Sequence, residues 1–172
     1  MFLDLIDLGR VKRGAIYMAV IILFQGTQNL LISYVRLMGV KALYMPALVV
    51  AIGMFEGSVS GGFLGMFAGF ILDGSFSENS VLFTALFTLM GFFSGYLTEF
   101  YINKRLFSFL FMAAASLLIT SFCQGIRAMV FHGTDFYSVT VVALSQALWS
   151  LPFAIPAYFV CKAIAREEID QK

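Results

Sequence analysis

Long uninterrupted apolar runs constrain this chain more than any other feature. They extend over Gly14 to Tyr34, Pro46 to Leu72, Val81 to Tyr101, Leu106 to Phe131 and Ser138 to Ile164. A hydrocarbon core about 30 Å thick takes roughly 20 helical residues to cross. Backbone groups find no hydrogen-bond partners in lipid, so helices are the expected spanning form. A closed barrel needs segments of about ten residues with alternating polarity, and these runs do not alternate. The expected fold class is therefore all-α: one polytopic membrane helix bundle covering residues 1–172.

Composition agrees. Hydrophobic residues make up 60% of the chain and charged residues 12%, against about 45–50% and 25% in soluble domains. One small core could not bury that surplus. The formal net charge of +1 gives no basic footprint for nucleic acid. The run after Arg13 is too long for a signal-peptide core, so the N-terminus is expected to be retained. Residues 1–13 are expected to be cytoplasmic or interfacial. Phe2, Leu3, Leu5, Ile6 and Leu8 alternate loosely with Asp4, Asp7 and Arg10, which fits either a short helix on the inner leaflet or a frayed terminus.

The number of spans turns on Pro46 to Leu72, which is long for one span and short for two. Glu56-Gly57 sits near its middle. Six segments with both ends inside place Arg10, Lys12, Arg13, Lys104, Arg105, Lys162, Arg166 and Lys172 on the inner side, eight residues against Arg36, Lys41 and Arg127 outside. Five segments leave four inside and seven outside. The positive-inside rule selects six, two of them short and forming a tilted or re-entrant pair, with 166–172 as a cytoplasmic tail. Pro152 and Pro156 should kink the last helix or divide it into two. The polar middle of the first run, Gln25 to Asn29, seeks partners inside the bundle.

Gly57, Gly61, Gly65 and Gly69 recur every four residues, and Asp73 takes the next step; Gly62 widens the ladder. Residues i and i+4 share a helix face, so the glycines form a groove without side chains where another backbone can approach. The groove serves either an internal helix or a partner. Asp73 at its outer end is expected to cap a helix or to face water. Glu56 is placed at the inner interface; deeper placement would mark it as functional. Glu99, near the inner end of its helix, is expected to pair with Lys104 or Arg105.

Other polar residues offer little chemistry. Cys123 and Cys161 lie in apolar sequence and do not suggest a disulfide framework. Arg127, His132 and Asp135 cluster near the outer end of the fifth segment, but a lone histidine is a poor metal site. There is one histidine in the chain, and no nucleophile elbow, phosphate loop or dinucleotide fingerprint. No catalytic, metal or cofactor residue is expected, and the protein is not expected to be an enzyme.

Residues 46–97 resemble the MreD family, the membrane subunit of the bacterial rod-shape system. The matching features are Pro46 opening a short apolar helix, Glu56-Gly57, and Gly61, Gly65 and Gly69 leading into Gly69-Phe70-Ile71-Leu72-Asp73. A helix with Gly91-Phe92-Phe93-Ser94-Gly95-Tyr96-Leu97 follows. Gln25, Gln28, the overall length, and Pro152 and Pro156 before a basic end also fit. The turn from Gly74 to Ser80 departs from the pattern, lacking a later glycine.

The resemblance implies a non-enzymatic subunit of the bacterial cytoplasmic membrane. Its partners would be a single-span MreC-like protein, together with RodA and a class B penicillin-binding protein, in organising peptidoglycan synthesis; membrane lipid would surround it. The family's fold is similar to that of the S-components of energy-coupling-factor vitamin transporters. Such a substrate-binding subunit is the rival reading, and Ala15 and Ala19 form the small-residue pair on the first helix that it would use. Under the MreD reading, Glu56, Gly57, Gly61, Gly65, Gly69 and Asp73 pack the bundle, and part of the bundle docks the partner helix.

Overall fold

A computed structural model describes residues 8–30, 42–75, 81–101, 103–133 and 135–166. Those residues form six helices and no strand. In chain order they are α1 (Leu8–Leu30), α2 (Met45–Glu56), α3 (Ser58–Ser75), α4 (Leu82–Phe100), α5 (Leu106–His132) and α6 (Phe136–Arg166). Three of them, α4, α5 and α6, are long and apolar enough to cross a membrane. The expected interfacial segment at residues 1–7 and the tail beyond Arg166 lie outside the described residues.

The long second run does divide. α2 ends at Glu56, and Gly57 takes φ +90°, a conformation open to glycine at little cost. α3 starts at Ser58. The last run behaves otherwise. α6 continues from Phe136 to Arg166 through both Pro152 and Pro156, so of the two expectations, a kink or a division, the division into two half-helices does not occur. Proline removes one backbone donor and crowds the preceding turn. Ser150 and Tyr158, flanking the prolines, are buried and bond to Leu43 and Lys104.

α2 is the centre of the bundle. It has 12 residues, and Met45 through Met54 are all buried. At 1.5 Å per residue it is about 18 Å long, well short of a hydrocarbon core. A helix apolar on every side belongs in an interior, and α2 packs on α1, α3, α4, α5 and α6. Ala42 to Tyr44 enter this interior without helical structure and are also buried. Two of their polar groups are satisfied by side chain or backbone of other helices. The Leu43 N–H donates to Ser150 Oγ at 2.9 Å, and the Tyr44 hydroxyl donates to the Phe24 carbonyl at 2.9 Å. Irregular backbone at such depth is tolerated when protein surrounds it in this way.

Successive helices run in opposite directions. Arg13 of α1 meets Glu56 of α2 at one end, and Thr27 meets Tyr44 at the other. Tyr17 reaches the Cys161 carbonyl of α6, and Tyr158 reaches the Lys104 carbonyl. The start of α1 and the end of α6 thus share one end of the bundle, the Arg13 end. Large apolar side chains cover the exterior, among them Leu23, Phe70, Phe107, Phe111, Val130 and Leu148, each at least two-thirds exposed. An exterior of this kind suits hydrocarbon rather than water.

Candidate functional site

The glycine ladder lies on the face of α3 that meets α4. A Cβ on Gly61 would stand 2.6 Å from the Gly91 carbonyl oxygen and 2.6 Å from Gly53 Cα. One on Gly65 would collide with the Phe87 carbonyl, and one on Gly69 would stand 2.5 Å from the Phe83 carbonyl oxygen. From α4, a Cβ on Gly91 would strike the Gly61 carbonyl, and one on Gly95 would strike Gly57 and Ser58. Each step of four up α3 matches a step of four down α4, so the two helices are antiparallel and in register along the whole ladder. Gly53 of α2 enters the same seam against Gly91 and Ser94. The groove that the sequence exposes to an internal or external helix is filled by α4. It is not available to a partner.

Both ends of this seam are closed by carboxylates. Asp73, at the end of α3, accepts from the Phe83 N–H at 3.1 Å, the Thr84 N–H at 2.8 Å and the Thr84 hydroxyl at 2.6 Å. The first turn of a helix has unpaired N–H groups and positive potential, and α4 has no side-chain cap of its own at Val81. Asp73 supplies that cap from the neighbouring helix. At the other end Glu99 of α4 accepts from the Ser58 N–H at 3.0 Å and from the Ser58 hydroxyl at 3.2 Å. Each helix of the pair caps the other's first turn.

Glu99 therefore does not pair with Lys104 or Arg105, as its position in the sequence suggests. The free N–H groups opening α3 hold its carboxylate more directly. Lys104 turns instead to the Phe55 carbonyl at 3.2 Å, where a cation complements the negative end of α2. The break at Gly57 is thus bracketed by charge of the right sign on each side.

Glu56 is the residue the sequence least explained. Its carboxylate lies 3.5 Å from the Arg13 guanidinium, with side chains 11% and 23% exposed respectively. The sequence offers no signal for this pair, since the two residues stand 43 positions apart. Glu56 and Arg13 line a cleft of about 800 Å³ between the first turns of α1, the end of α2 and the start of α3. Tyr17, Met18, Phe63 and Leu64 form its apolar part. A second, apolar groove of about 230 Å³ lies between α4 and α5, over Val50 of α2.

No protein-family model, curated protein or solved structure matches this chain.

The remaining polar candidates are spread along α5 and α6. Cys161 is buried in α6, while Cys123 is half-buried in α5. Asp135 precedes α6, and its carbonyl accepts from the Val139 N–H at 3.1 Å. The His132 side chain lies outside the described residues. No cluster of metal-ligating side chains occurs among the described residues. Near the end of the bundle opposite Arg13, Tyr44 stacks on Phe153 and meets Phe24 edge-on, and Trp149 meets Phe153 edge-on. Buried side-chain atoms of Gln25, Gln28, Gln124 and Trp149 have no hydrogen-bond partner among the described residues.

Proposed function

We propose that this protein is a six-pass, non-enzymatic subunit of a bacterial cell-shape system, similar to MreD, with both ends in the cytoplasm. One observation supports it most. The residues that carry the resemblance, Glu56-Gly57, the three spaced glycines, Asp73, Gly91 and Gly95, all have places in one structural device: the turn, the seam and the cap that join α2, α3 and α4. A motif spent on sealing a bundle fits a scaffold subunit. The even number of helices among the described residues and the gathering of Arg13, Lys104 and Arg166 toward the end shared by α1 and α6 support the proposed orientation.

In this reading α2 and α3 form the short pair within the membrane, and the outer faces of the bundle present the docking surface for a single-span MreC-like partner. RodA and a class B penicillin-binding protein complete the assembly. The cytoplasmic membrane of a bacterium is the expected location. Affinity purification from native membranes tests this. An MreC-like protein should co-purify, and depletion should round the cells. Recovery of an ATP-driven coupling module instead would contradict it.

Buried atoms of Gln25, Gln28, Gln124 and Trp149 that have no partner among the described residues favour a second reading, a solute-binding S-component. Orphaned polar atoms carry a desolvation cost that a bound small molecule could offset. Ala15 and Ala19 are exposed on α1, as that reading requires. A thermal-shift screen against water-soluble vitamins separates the two: one strong, specific hit supports the S-component, and none supports the scaffold.

A further inference from the structure

The Arg13 end of the bundle carries a second charged surface, on the side of α5 and α6. Lys104 and Arg105 lie in the turn before α5, and Lys162 lies near the end of α6; all three are exposed. Tyr158 ties the two elements together. Its ring packs on Phe109 of α5 at 5.1 Å, and its hydroxyl donates to the Lys104 carbonyl at 3.4 Å. The Lys162 ammonium stands 5.8 Å from the centroid of the same ring. A cation–π contact of this length orients a lysine and leaves its charge in place.

Protein carboxylates do not balance this charge. Lys104 gives one N–H to the Phe55 carbonyl, and an ammonium has three to give. Among the described residues, Lys104, Arg105 and Lys162 form no ion pair with a carboxylate. The two acids at this end are engaged elsewhere, Glu56 with Arg13 and Glu99 with Ser58. Arg166, one turn on, is followed in the sequence by Glu167 and Glu168 and is not counted in the patch. Toward the middle of the bundle the surface turns apolar. Lys162, Phe159 and Ile155 share one face of α6 by helical spacing. Phe159 meets Tyr158 edge-on at 5.7 Å, and Phe159 and Ile155 are 55% and 42% exposed. The face is therefore cationic at the end of the helix and hydrocarbon-like below it.

We propose that the start of α5 and the end of α6 together dock one anionic phospholipid. Its phosphate lies among Lys104, Arg105 and Lys162, and an acyl chain runs along Phe159 and Ile155. Charge complementarity selects this occupant: lysine and arginine close to a membrane surface attract anionic headgroups, and their N–H groups form charge-assisted hydrogen bonds to phosphate. A zwitterionic headgroup brings a cation of its own, which three cations repel. The inference rests on the membrane placement of the chain and not on the cell-shape reading, so either can fail alone.

Native mass spectrometry of the purified full-length protein, given phosphatidylglycerol, phosphatidylethanolamine and phosphatidylcholine in equal amounts, tests it. The wild type should retain phosphatidylglycerol about tenfold over either zwitterionic lipid. Lys162→Gln should lower that ratio about fivefold, the size of one cation near a membrane surface. Arg105→Gln should do the same, and it decides the matter if Lys162→Gln does not fold. Lys12→Gln removes an exposed cation of α1 at the same end and should leave the ratio as it is. Equal retention of the three lipids by the wild type would overturn the proposal. So would a loss of preference in Lys12→Gln as large as in Lys162→Gln, which would mean general attraction to a positive end rather than a site. An unchanged ratio in Lys162→Gln would overturn it too, including the case where that variant instead sheds a co-purifying protein.

Discussion

α4 has two very different sides. Toward α3 it lies backbone against backbone, with Gly91 and Gly95 meeting Gly61 and Gly57, and with Asp73 and Glu99 closing the two ends. Toward α5 the contact is loose, and a groove of about 230 Å³ remains, bordered by Phe93, Leu97, Phe111 and Ala115. Both sides are apolar. The difference is side-chain size. Glycine lets two helices approach until backbone atoms touch, which yields dense dispersion contact where lipid and protein are equally apolar. Phenylalanine and methionine keep the helices apart. In a membrane bundle, the small residues decide which seams are closed.

That contrast predicts a graded set of effects. Gly61→Leu or Gly91→Leu should be the most damaging, because the new side chain meets carbonyl oxygens that cannot move aside. A loss of about 3 kcal/mol or outright failure to fold is expected in thermal unfolding of the purified protein. Gly62→Ala is the internal control: a Cβ there would stand 3.5 Å from Phe92 Cβ, ordinary contact, and stability should barely change. Equal tolerance at Gly61 and Gly62 would erase the distinction between the seams.

Next in size is Asp73→Ala. It removes the cap of α4 and three hydrogen bonds, and should cost about 2 kcal/mol in the same measurement. Glu99→Ala at the more exposed end should cost about 1 kcal/mol. Hydrogen exchange should show the loss confined to the first turn of α3. The smallest effect belongs to the α5 side. Phe93 is 55% exposed, and Phe93→Ala should change stability by less than about 0.5 kcal/mol.

The sequence made the closed side of α4 partly legible. A period of four in Gly57, Gly61, Gly65 and Gly69 marks a helix face without any structure, and Glu56-Gly57 marks the place where a run of the wrong length must turn. What the spacing could not say was which helix fills the face. Gly91 and Gly95 stand four apart too, but pairing them with Gly61 and Gly57 needs the antiparallel register, which follows from the turn rather than from either motif. Asp73 reads as a capping residue or as a solvated one; only the position of Thr84 settles it. The ion pair of Glu56 with Arg13 was not legible at all, because it depends on how α1 crosses α2. Glu99 misleads in sequence for a related reason. Nearby lysine and arginine are visible in sequence, whereas the open N–H groups of Ser58 and its helix start are not.

Above all, the glycine ladder is consumed within the chain by α4. Disulfide trapping tests it most directly. With Cys123 and Cys161 replaced by alanine, Gly62→Cys and Phe92→Cys together would bring two Cβ atoms to 3.5 Å, within the range of about 3.5–4.5 Å that a disulfide spans. Mild oxidation in native membranes should give a cross-link within one chain, seen as monomers whose thiols no longer react with a maleimide. Thiols that stay reactive in a folded protein, or cross-links only between chains, would contradict the claim.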